Sequence, residues 1–317
     1  MGAPVPILRG DEPRPEEGQR MEGNRSVRTD LAMEAVELRK GTEQGLGELE
    51  GVSLREFDRN GIPVTEVKVL DERGAQSLGK PVGTYLTLTL GQLPGRTGDA
   101  FSRTVEAVAE ELRTLLPGQE HNPALVIGLG NRDITPDAVG PIAVDCTLAT
   151  RHLIHQAAEY FGDYRPVSAV AAGVVGSTGV ESAELIRALV REIQPGFIIA
   201  IDALASRSAQ RLGKTIQIAD TGITPGSGVG NARAELSQAT LGVPVIALGV
   251  PTVVDAGTLV ADLSGQASAA GRGLERMMVT PREIDTLAAD TGKVVGYGVS
   301  LALQTGLEVA DLELLLS

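Results

Sequence analysis

The chain has 317 residues, a formal charge of −13 at pH 7 and only 3% aromatic residues. So acidic a surface excludes direct nucleic-acid binding, because phosphate contacts need a basic face. The single cysteine, Cys146, excludes an internal disulfide and fits a reducing compartment, and no apolar run approaches the ~20 residues of a membrane span. The N-terminus lacks an apolar h-region, so no secretory signal is expected. Cys146 itself reads as a small core residue in mid-helix.

Residues 1–26 hold Pro4, Pro6, Pro13 and Pro15 among Gly, Arg and Glu. Such a segment buries too little to offset its ordering entropy, so it reads as a disordered tail or a removable prosegment. A helix is expected from about Leu31, with Thr42–Gly47 as a break. Residues 61–70 and 84–90 alternate apolar and polar side chains and predict two strands that can pair. Ser102 is the expected N-cap of a helix whose Val105, Val108, Leu112, Leu115 and Leu116 line one face, and Pro117-Gly118 ends it. From there the chain cycles between strand and helix. Strands are expected at Ala124–Leu129, Val167–Ala172, Phe197–Ile201, Thr215–Ala219 and Pro244–Leu248. Helices are expected at Pro136–Thr150, Ser182–Ile193, from Pro281, and at Val309–Leu316. Continuous apolar strands alternating with helices predict a three-layer α-β-α fold around a mainly parallel, twisted sheet.

In such a sheet, ligands gather outside the carboxyl ends of strands. Two expected strands run into acids there: Asp137, in Gly130-Asn131-Arg132-Asp133-Ile134-Thr135-Pro136-Asp137, and Asp202, in Asp202-Ala203-Leu204-Ala205-Ser206-Arg207. Two carboxyl groups brought together there can share a proton, so that one activates water while its protonated partner polarises the scissile carbonyl. The competing reading is that Asp137 only favours a helix N-terminus. Gly128-Leu129-Gly130 departs from the dinucleotide fingerprint because Asp133 stands at the third glycine. Ser227 lies in Pro225-Gly226-Ser227-Gly228, which is not a nucleophile elbow, and its glycine-rich loop is expected to line a site or make a tight turn. His152, His155 and Glu159 have ligand-like helical spacing but read better as a solvated face. No metal or cofactor is expected.

Several long segments resemble the spore germination protease family, in order, over about residues 26–305. They are Ser26–Glu34 (SVRTDLAME), Gly128–Pro141 (GLGNRDITPDAVGP), Arg165–Gly179, Ile201–Arg207 (IDALASR), Asp220–Asn231 (DTGITPGSGVGN), Gly242–Ala256 and Met278–Asp285. The resemblance implies an atypical aspartic-type endopeptidase, with a fold like that of hydrogenase maturation proteases, that degrades small acid-soluble spore proteins during germination. By motif its catalytic pair falls on Asp137 and Asp202. It also implies a zymogen that trims itself, and Thr29-Asp30-Leu31-Ala32 has the form of the family's cleavage motif. Cleavage is therefore expected between Asp30 and Leu31, making residues 1–30 a prosegment and 31–317 a single peptidase domain. An acidic residue before the cut calls for a cationic or hydrogen-bonding pocket, and Arg132, Arg207, Arg233 and Ser227 are its candidates. Arg132 stands where relatives are expected to carry an aromatic residue. A homotetramer in the cytoplasm of the spore core is implied as well. The competing readings are a metal-dependent maturation peptidase of the related fold and a non-catalytic peptide-binding protein.

Overall fold

Alternation along extended segments gives each strand one face toward each of two helical layers, and the resulting sheet is the frame of the molecule. The structure, a computed structural model, describes residues 29–40, 49–92, 95–118, 121–264, 274 and 277–316. Residues 1–28 of the expected prosegment and the expected break at 42–47 lie outside the described residues.

The chain begins with α1 (Ala32–Lys40), β1 (Val52–Arg59), β2 (Ile62–Val69), α2 (Glu72–Leu78), β3 (Gly83–Thr89) and α3 (Asp99–Leu115). It continues through β4 (Ala124–Gly128), α4 (Val139–Asp145), α5 (Arg151–Gln156), α6 (Ala158–Phe161), β5 (Val167–Ala171), α7 (Val175–Thr178) and α8 (Ser182–Ile193). The last part holds β6 (Phe197–Ser206), β7 (Thr215–Ala219), α9 (Gln238–Leu241), β8 (Val245–Asp255), α10 (Ala256–Ser264), β9 (Met278–Val279), α11 (Ile284–Leu303) and α12 (Val309–Leu315). The strand order is β1-β2-β3-β7-β8-β6-β4-β5, with β9 paired to β8.

The sheet is parallel over β8-β6-β4-β5 and antiparallel from β8 through β7, β3 and β2 to β1. The two alternating segments thus do pair, as β2 and β3. β7, expected among the parallel strands, runs antiparallel to both its neighbours. β1 adds an edge strand whose charged, mostly exposed sequence gives a weak alternation. β6 and β8 run on past their expected ends, to Ser206 and Asp255.

One face of the sheet packs on α3, α4, α11 and α12 through Val126, Ile199, Ile201, Ile216, Leu248 and Val250. The other carries two separate patches. Leu125, Ile127, Ile198 and Ala200 meet α8, while Val67, Val69, Tyr85 and Ala219 meet α1 and α2. The gap between these patches lies over β6, β8 and β7, and it is where the site forms.

Two local expectations differ. α3 starts at Asp99 behind Gly98, which has positive φ, so Ser102 is inside the helix rather than its cap. The expected helix over 136–150 is split. Thr135–Asp137 form a single 3-10 turn, and α4 follows and ends at Cys146, which is half-buried against the core. The split lets α4 lie close on the sheet. A side chain at Gly140 would collide with the carbonyl oxygens of Leu129 and Ile201. Gly140→Ala should therefore lower stability by about 1–3 kcal/mol, the usual effect of overpacking, seen as a lower denaturant midpoint with an unchanged slope.

Candidate active site

β6 carries Asp202 as the continuation of its inner row. Ile199 and Ile201 point into the α3–α11 core, so Ala200 and Asp202 point to the opposite face. Asp202 pairs with Gly249 of β8, and Gly249 pairs with Gln217 of β7. The three therefore form one row on one face, with about 10 Å between the Cα atoms of Asp202 and Gln217 at ordinary strand spacing. Gly249 yields its side-chain space to Leu204.

Asp137 arrives from the loop after β4. Gly130, at φ 102°, turns the chain where a side chain would strike the Asp137 carbonyl. The Asn131 N–H then donates to Asp137 Oδ2 at 2.8 Å. Asp137 and Asp202 line one cleft of about 930 Å³. The sequence-predicted pair is thus brought together.

The two acids differ in environment. Asp202 is 5% exposed, and the Ala203 N–H donates to its Oδ1 at 2.9 Å. Burial holds its pKa well above the ordinary carboxylate range, and the charges of Asp137 and then Asp30 push it the same way, against the Ala203 N–H. Asp137 is half-buried, and burial raises its pKa too, opposed by the Asn131 N–H. Of the two, Asp202 is the more strongly shifted and so the better holder of a proton.

The third acid of the cleft comes from the chain itself. Asp30 donates its N–H to the Ala205 carbonyl at 2.9 Å, and its Oδ2 accepts the Ala205 N–H at 2.8 Å. Ser227 Oγ donates to Asp30 Oδ1 at 3.0 Å. Gly228 leaves the room this carboxylate occupies, since a side chain there would strike Oδ2. The Asp30 carbonyl accepts from Lys80 Nζ at 2.8 Å and from Gln217 Nε2 at 3.2 Å. Leu31 is fully buried, and its N–H donates to Thr29 Oγ1 at 3.0 Å.

Downstream, the fully buried Glu34 carboxylate accepts the N–H groups of Arg207 at 2.7 Å and Ser208 at 3.1 Å, with the Arg211 Nε at 3.5 Å and the Thr29 hydroxyl beside it. Residues on both sides of the Asp30–Leu31 bond are therefore fastened to the domain.

The three arginines are directed at other acids. Arg132 forks onto Asp145, Arg207 NH2 binds Asp262 at 2.6 Å, and Arg233, on the rim of the cleft, reaches Glu181 at 3.4 Å. Lys80 and Gln217 do not stand out in the sequence, since each belongs to an unremarkable local pattern and gains meaning only from its contacts. His152 and His155 lie on α5 and Glu159 on α6, with the helical run interrupted at Ala157. Among the described residues no cluster of three or more His, Cys, Asp and Glu side chains could hold a metal ion.

The germination protease family model matches residues 29–265. A germination protease of Caldanaerobacter subterraneus subsp. tengcongensis is 44% identical over 92% of this chain and 98% of its own. One from Clostridium tetani is 41% identical over 90% of this chain and 98% of its own, and one from Bacillus cytotoxicus is 45% identical over 75% and 65%. A [NiFe] hydrogenase maturation protease, HycI of Thermococcus kodakarensis KOD1, aligns with 58% of this chain and 98% of its own, at 15% identity and a TM-score of 0.31. With a family match across most of its length and full-length relatives above 40% identity, the chain belongs to the germination protease family.

Proposed function

We propose that this germination protease is an aspartic-type endopeptidase, made as a zymogen, whose first substrate is its own Asp30–Leu31 bond. The observation that carries the reading is the seat of Asp30. Its carboxylate rests on the Ala205 N–H and the Ser227 hydroxyl, in the cleft that Asp137 and Asp202 line. A neutral seat of two donors suits an acidic side chain in so acidic a protein, because hydrogen bonds to the charged form stabilise it without a full counter-charge.

In this reading Asp137, the more exposed carboxylate, takes a proton from a water whose oxygen attacks the Asp30 carbonyl carbon. The tetrahedral adduct then collapses, the C–N bond breaks, and Asp202 gives its proton to the Leu31 nitrogen. The products are a carboxyl group on Asp30 and an amine on Leu31. The pair ends with one proton, now on Asp137, and its return to Asp202 resets the site. Residues 1–30 leave as a prosegment and residues 31–317 form the mature peptidase. The same seat would receive the acidic residue before the cut in small acid-soluble spore proteins. A homotetramer working in the spore core belongs to the same reading.

Purified full-length chain held at mildly acidic pH should lose about 30 residues and expose Leu31 as its N-terminus, read by mass and N-terminal sequencing. Asp137→Asn and Asp202→Asn should each slow this by at least about 100-fold, the lower end of the worth of a positioned acid or base. Wild-type rates in either variant would remove the pair from the mechanism.

Asp202 also makes a stability prediction. Its folded pKa lies above its unfolded value, so the folded state holds the proton more tightly and stability falls as pH rises from the ordinary carboxylate range through the folded pKa. Asp202→Asn should accordingly raise Tm at neutral pH, with the gain shrinking as the pH falls toward 4, an ordinary carboxylate value of roughly that size. A Tm difference that does not vary with pH would show that Asp202 is not held protonated.

A further inference from the structure

We infer that Lys80 and Gln217 form the oxyanion site for the bond after the acidic residue, a role that rests on cleavage at Asp30–Leu31. The geometry is that of two convergent donors on one oxygen. Lys80 Nζ lies 2.8 Å and Gln217 Nε2 3.2 Å from the Asp30 carbonyl oxygen, and Lys80 also reaches the Thr29 carbonyl at 3.3 Å. Catalysis gains most from donors fixed where negative charge develops, and both of these are fixed. Gln217 is buried on a central strand. Lys80 follows α2, whose end is turned by Gly79 at φ 63°.

Gln217 does a second thing. Its Oε1 accepts the Ala32 N–H at 2.7 Å while its Nε2 holds the Asp30 carbonyl. One side-chain amide thus grips the main chain on both sides of Leu31, as a neighbouring strand would, and sets which peptide bond faces the acids. The amide cannot flip without putting oxygen on oxygen and N–H on N–H. The register of the sheet fixes it in the same row as Asp202.

The arrangement also divides labour within the cleft. A carbonyl oxygen has two lone pairs, and Lys80 and Gln217 take both. The proton on Asp202 is then directed to the leaving nitrogen rather than to the carbonyl oxygen. Lys80 is the ammonium that meets the charge of the adduct. Burial lowers its pKa, and the neighbouring charges of Asp30 and then Glu34 oppose that shift.

The test uses the full chain and, in trans, a peptide with the sequence of residues 24–40. Lys80→Met should slow self-cleavage, and kcat on the peptide, by about 100- to 1,000-fold, the usual loss of one oxyanion donor, with KM changed less than about tenfold. Gln217→Glu, which keeps the acceptor and the size but loses the N–H, should lower kcat by about tenfold or more. Lys80→Arg should restore part of what Lys80→Met loses. A phosphinate analogue of the 30–31 bond should bind Lys80→Met at least about tenfold more weakly than wild type, because it mimics the charged adduct. A merely structural lysine would not weaken the analogue selectively over the uncleaved peptide. If Lys80→Met does not fold, as judged by circular dichroism, Lys80→Ala and Gln217→Glu are the two donor variants that decide. Wild-type kcat in both of the folded donor variants, with wild type cutting after Asp30 and Asp137→Asn inactive, overturns this inference and leaves the aspartic reading intact. A wild-type chain that leaves the 30–31 bond whole overturns both.

Discussion

A carboxyl group on a central strand, buried and without a cation on it, is costly to ionise, and Asp202 is such a group. Among the described residues its hydrogen bond is the N–H of the next residue, so nothing in the first contacts discharges it. Burial alone favours the protonated form, and Asp137 in the same cleft adds like-charge repulsion. The sheet keeps this arrangement because its alternatives are blocked. A shift of β6 by one residue would turn Asp202 into the apolar layer of α3 and α11 and bring Ile201 out. The register that buries Ile199 and Ile201 on one side is the register that holds Asp202 in the cleft on the other.

In the proposed reading the N-terminal segment, whose Thr29 and Asp30 line that cleft, takes the place of a substrate. Asp30 and Glu34 are both acids received by main-chain N–H groups of the strand end that also carries Asp202, at Ala205, Arg207 and Ser208. β6 and the two residues after it thus carry Asp202 and, three to six residues on, the N–H groups that hold Asp30 and Glu34. The Ala205 N–H and carbonyl lie beyond the end of β4, whose pairing with β6 stops at Gly128 and Ile201, and Asp30 takes both. Burying Leu31 and Ala32 then makes the segment an element of the domain, with α1 completing the patch over Val67, Tyr85 and Ala219.

Much of this was legible in the sequence, and what was not has physical reasons. Alternation gave β2 and β3, and apolar runs gave β4, β6 and β8, because those signals are local. β1 stayed hidden because an exposed edge strand, Val-Ser-Leu-Arg-Glu-Phe-Asp-Arg, buries little on either side. The reversed direction of β7 is a property of the connections before and after it, which hydrophobic pattern does not record. Pro136 reads as a helix start, and it does open a turn, but a single 3-10 turn that hands Asp137 to the cleft. The strand-end rule points to Asp202, next to the expected end of its strand at Ile201, and to Asp137, in the loop that follows Ala124–Leu129. It passed over Lys80 and Gln217, one after a short helix and one inside an apolar strand, since only the sheet order brings residues 80 and 217 to the same oxygen. An arginine was the natural expectation for an acidic side chain, yet each arginine has an acid of its own, and main-chain N–H and hydroxyl donors meet Asp30.

Charge also gives the proposed reaction a direction. Before cleavage the group facing Lys80 and Gln217 is a neutral carbonyl, and the cleft carries Asp30, Asp137 and Asp202. Hydrolysis turns that carbonyl into a carboxylate at the same spot. One lysine then faces more negative charge than it can offset, in surroundings where like charges interact more strongly than in water. The new C-terminus is repelled by the pair that made it, while Glu34, fastened to Arg207, Ser208 and Arg211, stays with the domain. The two halves of the cut segment would thus be held unequally: the prosegment side gains a charge beside the acids, and the Leu31 side keeps the contacts that the domain itself gives Ala32 and Glu34.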